Sequence, residues 1–115
     1  MGFVDQLTNL FSRSGRDDNR LRQGMEHAEA NRPARAIAVY DSLVNSKGTS
    51  PTVRARALFN RALAHSSTKD DAKAIADLEQ VVAMPGAPDN VLAAARNQLV
   101  RVRNRIQRLH DHAEK

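Results

Sequence analysis

The sequence contains no cysteine and no tryptophan, and aromatic residues make up only 3% of its 115 positions. The absence of cysteine excludes disulfides and thiolate metal sites, and makes a reducing compartment the default expectation. The shortage of aromatics argues against a β-sandwich, since strands draw on β-branched and aromatic side chains, and favours close-packed helices. No apolar run approaches the roughly 20 residues a membrane-spanning helix needs. The opening MGFVDQLTNLFSR has no basic leading region, and Asp5, Gln6, Thr8 and Asn9 interrupt its apolar residues, so a secretory signal is not expected. Gln6 stands where a myristoylation motif requires Ser or Thr. The expected location is cytoplasmic.

Chemistry-bearing patterns are also missing. There is no cysteine nucleophile, no glycine-rich phosphate loop and no clustered carboxylate pair, so an enzyme is not expected, and neither is a cofactor. His27 and His65 invite a metal reading, but single histidines at such places commonly serve packing, with a ring nitrogen bonded to backbone or water. His110 and His112 lie two apart and project from different sides of a helix. No metal site is expected.

What is present is an Ala-, Leu-, Val- and Ile-rich pattern of helical period. Phe3, Val4, Leu7, Leu10 and Phe11 gather on one side of a short amphipathic helix, and Ser14-Gly15-Arg16-Asp17-Asp18 reads as a break after it. Residues 1–16 are therefore expected to form an arm joined by a short link to a domain over 17–115. Within that domain one helix is expected from Asp18 to about Asn31. A second opens at Pro33, whose missing N–H suits a first turn, and stops near Ser46. Pro51 opens a third, running to about Ser66. Ala74, Ile75, Leu78, Val81 and Val82 mark a fourth, closed by Met84-Pro85-Gly86. A long helix follows over about 89–112, with Asp89 or Asn90 as its cap and an apolar stripe of Leu92, Ala95, Leu99, Val102, Ile106 and Leu109.

The two halves repeat. A shift of 38 residues superimposes His27 on His65, Ala34 on Ala72 and Ala36-Ile37-Ala38 on Ala74-Ile75-Ala76, and carries Val44 to Val82 and Gly48 to Gly86. Helix hairpins recurring at such a period are the signature of a solenoid. Small residues precede a ring by three, Gly24 with His27 and Ala62 with His65. Ala36 is followed four later by Tyr40, and Ala74 by Leu78. In this pattern the chain resembles the tetratricopeptide-repeat family, best over Leu58–Val82 and in all over about residues 17–86. It departs from that family in having polar Arg20 and Gln23 at places that normally pack on a preceding repeat, which suits a terminal repeat. The resemblance implies an all-α fold: a right-handed helix-hairpin solenoid with repeats at about 17–48 and 51–86, followed by the long helix and preceded by the short amphipathic one. Gly24, Ala62, Ala36 and Ala74 would let helices approach closely, with Tyr40 and Leu78 filling the space beside them.

The resemblance also implies a groove that holds a peptide or partner helix, lined here by Leu21, Met25, Ala28, Arg56, Phe59, Leu63 and Ser66. Such a lining has no Lys/Asn clamp for a C-terminal carboxylate, and its apolar character suggests an amphipathic helix as ligand. The expected function is a protein-interaction scaffold or adaptor. Two alternatives stand beside it. The net charge of +5, from 18 Lys+Arg against 13 Asp+Glu, is partly gathered on Arg101, Arg105 and Arg108, a face that could contact a polyanion. Stacking aromatics and a recognition helix are absent, so no specific nucleic acid is expected. The arm of Phe3, Val4, Leu7, Leu10 and Phe11 could touch a membrane, weakly, having few basic residues. A homodimer through the arm or through the C-terminal helix is a further open route, and so is docking of the arm in the groove of its own chain.

Overall fold

A computed structural model of the protein describes the backbone of residues 2–113 and the side chains of residues 15–113. The fold is all-α, with five helices in sequence: α1 (Gly2–Glu29), α2 (Pro33–Asn45), α3 (Pro51–Ser67), α4 (Asp71–Ala83) and α5 (Asp89–Ala113). Each helix packs on its neighbours in sequence. In addition α1 touches α3 and α3 touches α5, whereas α2 and α4 do not meet among the described residues.

The helices start and stop where local chemistry dictates. Pro33 and Pro51 occupy the first turns of α2 and α3, where a missing N–H costs nothing. The Ser50 hydroxyl accepts from the Val53 N–H at 3.2 Å, and the Asp70 carboxylate from the Lys73 N–H at 3.3 Å. At the head of α5 the expected caps, Asp89 and Asn90, both lie inside the helix. Pro88 precedes it and its carbonyl accepts from the Val91 and Leu92 N–H groups.

The two hairpin turns are built alike. Asn31 (φ 59°) and Lys69 (φ 64°) take left-handed backbone, and they are 38 residues apart. One residue on, Arg32 N–H donates to the His27 carbonyl and Asp70 N–H to the His65 carbonyl, each at 2.9 Å. This is the bond that closes a helix over a left-handed residue just past its end. The 38-residue period thus holds in backbone geometry at positions where neither residue is glycine.

One expectation fails. The break proposed at Ser14–Asp18 is absent, and α1 continues through Gly15 as a single helix of 28 residues. A helical glycine costs about 1 kcal/mol relative to alanine, too little by itself to end a helix of this length. Docking of residues 3–11 into the groove of their own chain would require this helix to fold back, and it does not. The side chains of Phe3, Val4, Leu7, Leu10 and Phe11 lie outside the described residues.

The core forms two clusters that share α3. Leu21, Ala36, Tyr40, Leu43, Val53 and Ala57 fill the space between α1, α2 and α3. Ala55, Leu58, Ala62, Ala74, Leu78, Val81, Val91, Ala95, Leu99 and Val102 fill that between α3, α4 and α5, and Val44 packs against both clusters. Burial of each large aliphatic side chain stabilises by roughly 1.5–3 kcal/mol before ordering costs. The crossing of α1 and α2 is especially close: a Cβ built on Gly24 would lie 2.5 Å from a ring carbon of Tyr40. The period also reaches α5. Val53, Ala57 and Ala64 on α3, and Val91, Ala95 and Val102 on α5, are buried at positions 38 residues apart. Each helix therefore sets the same face against the hairpin before it.

Candidate groove and its charged margins

The helical period places Arg56, Asn60, Leu63 and Ser67 on one face of α3, spaced four, three and four apart. Leu63 is 37% exposed, and Met25, its counterpart 38 residues earlier on α1, is 40% exposed. Between the two helices lies a cleft of about 230 Å³, walled by Ala28, Pro33, Leu63 and Ala64 and edged by Asn31, Asn60 and Ser67. Of the residues expected to line a groove, Met25, Ala28 and Leu63 are thus exposed on adjoining helices, and Arg56 is exposed on the same face of α3.

Three others are placed differently. Leu21 is only 7% exposed and belongs to the core with Tyr40 and Leu43, because it faces α2. Phe59 is half-buried against the cluster between α3, α4 and α5. Ser66 is turned toward α5, where its hydroxyl accepts from Arg105 Nη2 at 2.7 Å. In each case the helical face had been set about one residue too far round.

Tyr40 was expected only as a filler, and it does fill the crossing, fully buried beside Gly24. It also reaches the cleft, and its hydroxyl meets no hydrogen-bond partner among the described residues. Burial, with a smaller contribution from the charge of Glu29, raises its pKa from 10.0 to about 12, so the phenol stays protonated and can donate. The neighbouring donors are already used: Asn60 Nδ2 donates to the Arg56 carbonyl at 2.8 Å, and the Ser67 hydroxyl to the Ala64 carbonyl at 2.7 Å. An unmatched buried donor at a cleft suits an acceptor brought in from outside.

A polar cluster joining α2, α3 and α4 was not foreseen. Arg61 forks onto Asp77, with Nε donating to Oδ2 at 2.8 Å and Nη2 to Oδ1 at 2.7 Å, while Nη1 donates to Asp41 at 2.8 Å. His65 Nε2 stands 3.9 Å from the Asp77 carboxylate. These bonds tie α2, α3 and α4 together, and they raise the Arg61 pKa further, chiefly through the hydrogen bond to Asp77. Asp77 is held by both arms of the fork, while Asp41 accepts one bond and stays partly open to water. The available signal was Asp77 itself, an acid on the apolar face of Ala74, Leu78 and Val81.

The arginine face of α5 is partly engaged within the fold. Arg105 is not free for a polyanion: its Nη2 donates to Asp71 at the start of α4 as well as to Ser66. Arg103 pairs with Glu79 at 2.8 Å. Arg101 and Arg108 are exposed and have no partner among the described residues. Farther along α5, Ile106 and Leu109 are 39% and 62% exposed. Among the described residues no group of three or more potential ligands could hold a metal ion, and no helix is long and apolar enough to cross a membrane.

Compared with known proteins, no family model, no curated protein and no solved structure matches the chain.

Proposed function

We propose that the protein is a non-catalytic interaction module of tetratricopeptide type, acting in the cytoplasm as a scaffold or adaptor that receives a partner's amphipathic helix or peptide. The observation that carries this reading is the pairing of Met25 and Leu63. Two large apolar side chains stand exposed at the same register position of α1 and α3, and Leu63 walls a cleft that Tyr40, with its unmatched buried hydroxyl, also reaches. The solenoid arrangement draws support from three features at one 38-residue period: the left-handed turns at Asn31 and Lys69, the buried small residues Gly24 and Ala62, and the buried faces of α3 and α5. Tethering by Arg61 and the lack of cysteine fit a module built to present a surface in a reducing compartment.

Selection of helical peptides by display tests the reading. Sequences with an apolar stripe should be enriched on the wild-type chain and lost when counter-screened on Leu63→Asp, whose circular dichroism should match wild type. Enriched peptides that bind the variant equally well would refute it. A self-association route rests on Ile106 and Leu109, whose exposure leaves an apolar face on the far half of α5. Sedimentation of Leu109→Asp beside wild type decides whether that face pairs two copies.

A further inference from the structure

We infer that the groove's occupant is an acidic amphipathic segment, with apolar anchors over α1 and α3 and carboxylates over α5. This inference rests on the groove reading above and adds the partner's chemistry and its direction. Val53, Ala57 and Ala64 of α3 and Val91, Ala95 and Val102 of α5 are buried 38 residues apart, so α5 continues the row of outer helices in the same rotational setting. At that setting the position of Met25 on α1 and Leu63 on α3 becomes Arg101 on α5. Four residues, about one turn, farther along each helix, Glu29 on α1 and Ser67 on α3 become Arg105. Arg105 reaches across to Ser66 of α3 at 2.7 Å and to Asp71 of α4, which fixes that flank of α5 against the second hairpin.

The groove is therefore graded. Its α1 end carries Met25 and Ala28 with Glu29 at the margin, its middle carries Leu63, and its α5 end carries Arg101, with Arg108 two turns farther along the same face of α5, where it extends past the end of α3; both arginines are without a partner among the described residues. Arg56 adds a third exposed cation on the face of Leu63. A wholly apolar segment would leave these guanidiniums unmatched, and a basic one would be repelled by them. A polynucleotide fits less well, because Arg105 is already neutralised by Asp71 and the remaining cations are few beside the apolar anchors. An acidic amphipathic helix matches both ends, and the arginines would steer it to one orientation.

The test uses two designed helical peptides of about four turns that share a leucine stripe, one with glutamates clustered at one end and one with glutamines in their place. Fluorescence anisotropy at low salt should show the glutamate peptide binding about tenfold more tightly to the full chain. Arg101→Gln with Arg108→Gln should remove that difference and leave the glutamine peptide's affinity unchanged. Equal affinities on the wild type, with both lost in Leu63→Asp, would overturn the acidic partner and leave the groove standing. Binding of both peptides that ignores Leu63→Asp would overturn the groove and this inference with it. Displacement of the glutamate peptide by a single-stranded oligonucleotide that the double arginine variant no longer binds would assign the arginines to nucleic acid instead.

Discussion

The two hairpins make the same crossing from different residues. In the first, α1 and α2 meet at Gly24 and Tyr40; in the second, α3 and α4 meet at Ala62 and Leu78, the counterparts 38 residues on. The smaller residue faces the larger ring and the larger residue faces the smaller aliphatic, so volume at the crossing is roughly conserved. The polar fastening is not conserved. Arg61 and Asp77 clamp the second hairpin, whereas Gln23 and Val39 hold those register positions in the first. A single backbone plan thus tolerates either an ion pair or none, provided the crossing is filled. Among the described residues the clamped hairpin packs on helices to both sides, α1 and α2 before it and α5 after it, while the unclamped one packs on α3 alone, with Tyr40 reaching the cleft.

The largest effect should come from undoing the clamp. Arg61→Gln would leave the Asp77 carboxylate, with side-chain exposure of 7%, buried with only His65 Nε2, 3.9 Å away, beside it among the described residues. Loss of one partner of a buried pair typically costs about 3–5 kcal/mol. Adding Asp77→Val copies the first hairpin and should recover most of that loss, since Asp41 is exposed enough to be hydrated. Urea denaturation of the single and double variants measures both. Equal loss in the two would mean that the clamp, and not the lone charge, is what the second hairpin requires.

The exchange of small and large residues gives the next effect. Gly24→Ala drives a Cβ against the Tyr40 ring and should destabilise by about 1–3 kcal/mol, partly offset by the better helix propensity of alanine. Tyr40→Leu in the same chain reproduces the second crossing and should restore stability. If the two substitutions prove additive in thermal denaturation, the crossings are not equivalent and the repeat alignment is wrong.

Tyr40 also distinguishes the hairpins by titration, and it is the one tyrosine in the sequence. Its folded pKa, raised to about 12, lies above the unfolded value of 10.0. The folded state therefore retains its proton longer, so this contribution to stability is complete below pH 10 and is lost as pH rises toward about 12. Phenolate absorbance should appear near pH 12 in the folded chain and near 10 in urea. A single transition near 10 in both would show that the hydroxyl is reached by water.

Legibility followed the reach of each interaction. The bounds of α2, α3 and α4 follow from Pro33, Pro51, Asp70 and the periodic apolar residues, all signals that act within a turn or two. The small–large pairs at Gly24, Ala36, Ala62 and Ala74 were likewise readable. The fork of Arg61 onto Asp77 joins residues 16 apart on different helices, and no local pattern announces it. Leu21 and Phe59 were assigned to the groove because rotation about a helix axis is set by tertiary contacts, and an error of one position turns lining into core. The continuation of the period into α5 was hidden because Arg101 and Arg105 replace Leu63 and Ser67. Its buried face kept the pattern while its exposed face changed chemistry.

The smallest effect tests where the first hairpin differs most from the second. Gly15 and Val53 share a register position, yet Val53 is 3% exposed and packed in the core, whereas a Cβ on Gly15 would meet nothing within 4 Å. The second hairpin has a predecessor for that face to pack upon; the first has none among the described residues. Since α1 is helical on both sides of Gly15, Gly15→Ala removes a helical glycine without adding a clash, and should stabilise by up to about 1 kcal/mol. Gly15→Pro removes an N–H from the helix interior and clashes with the preceding turn, and should cost about 3 kcal/mol of local helix stability. That loss would be felt mainly by residues before 15, so amide exchange should quicken there and remain slow around Tyr40. Were residues 1–16 instead a separate arm on a flexible link, neither substitution would change helix content. Circular dichroism of the two variants beside wild type separates these cases: a rise for alanine and a fall for proline mark one continuous helix, and identical spectra mark a hinge.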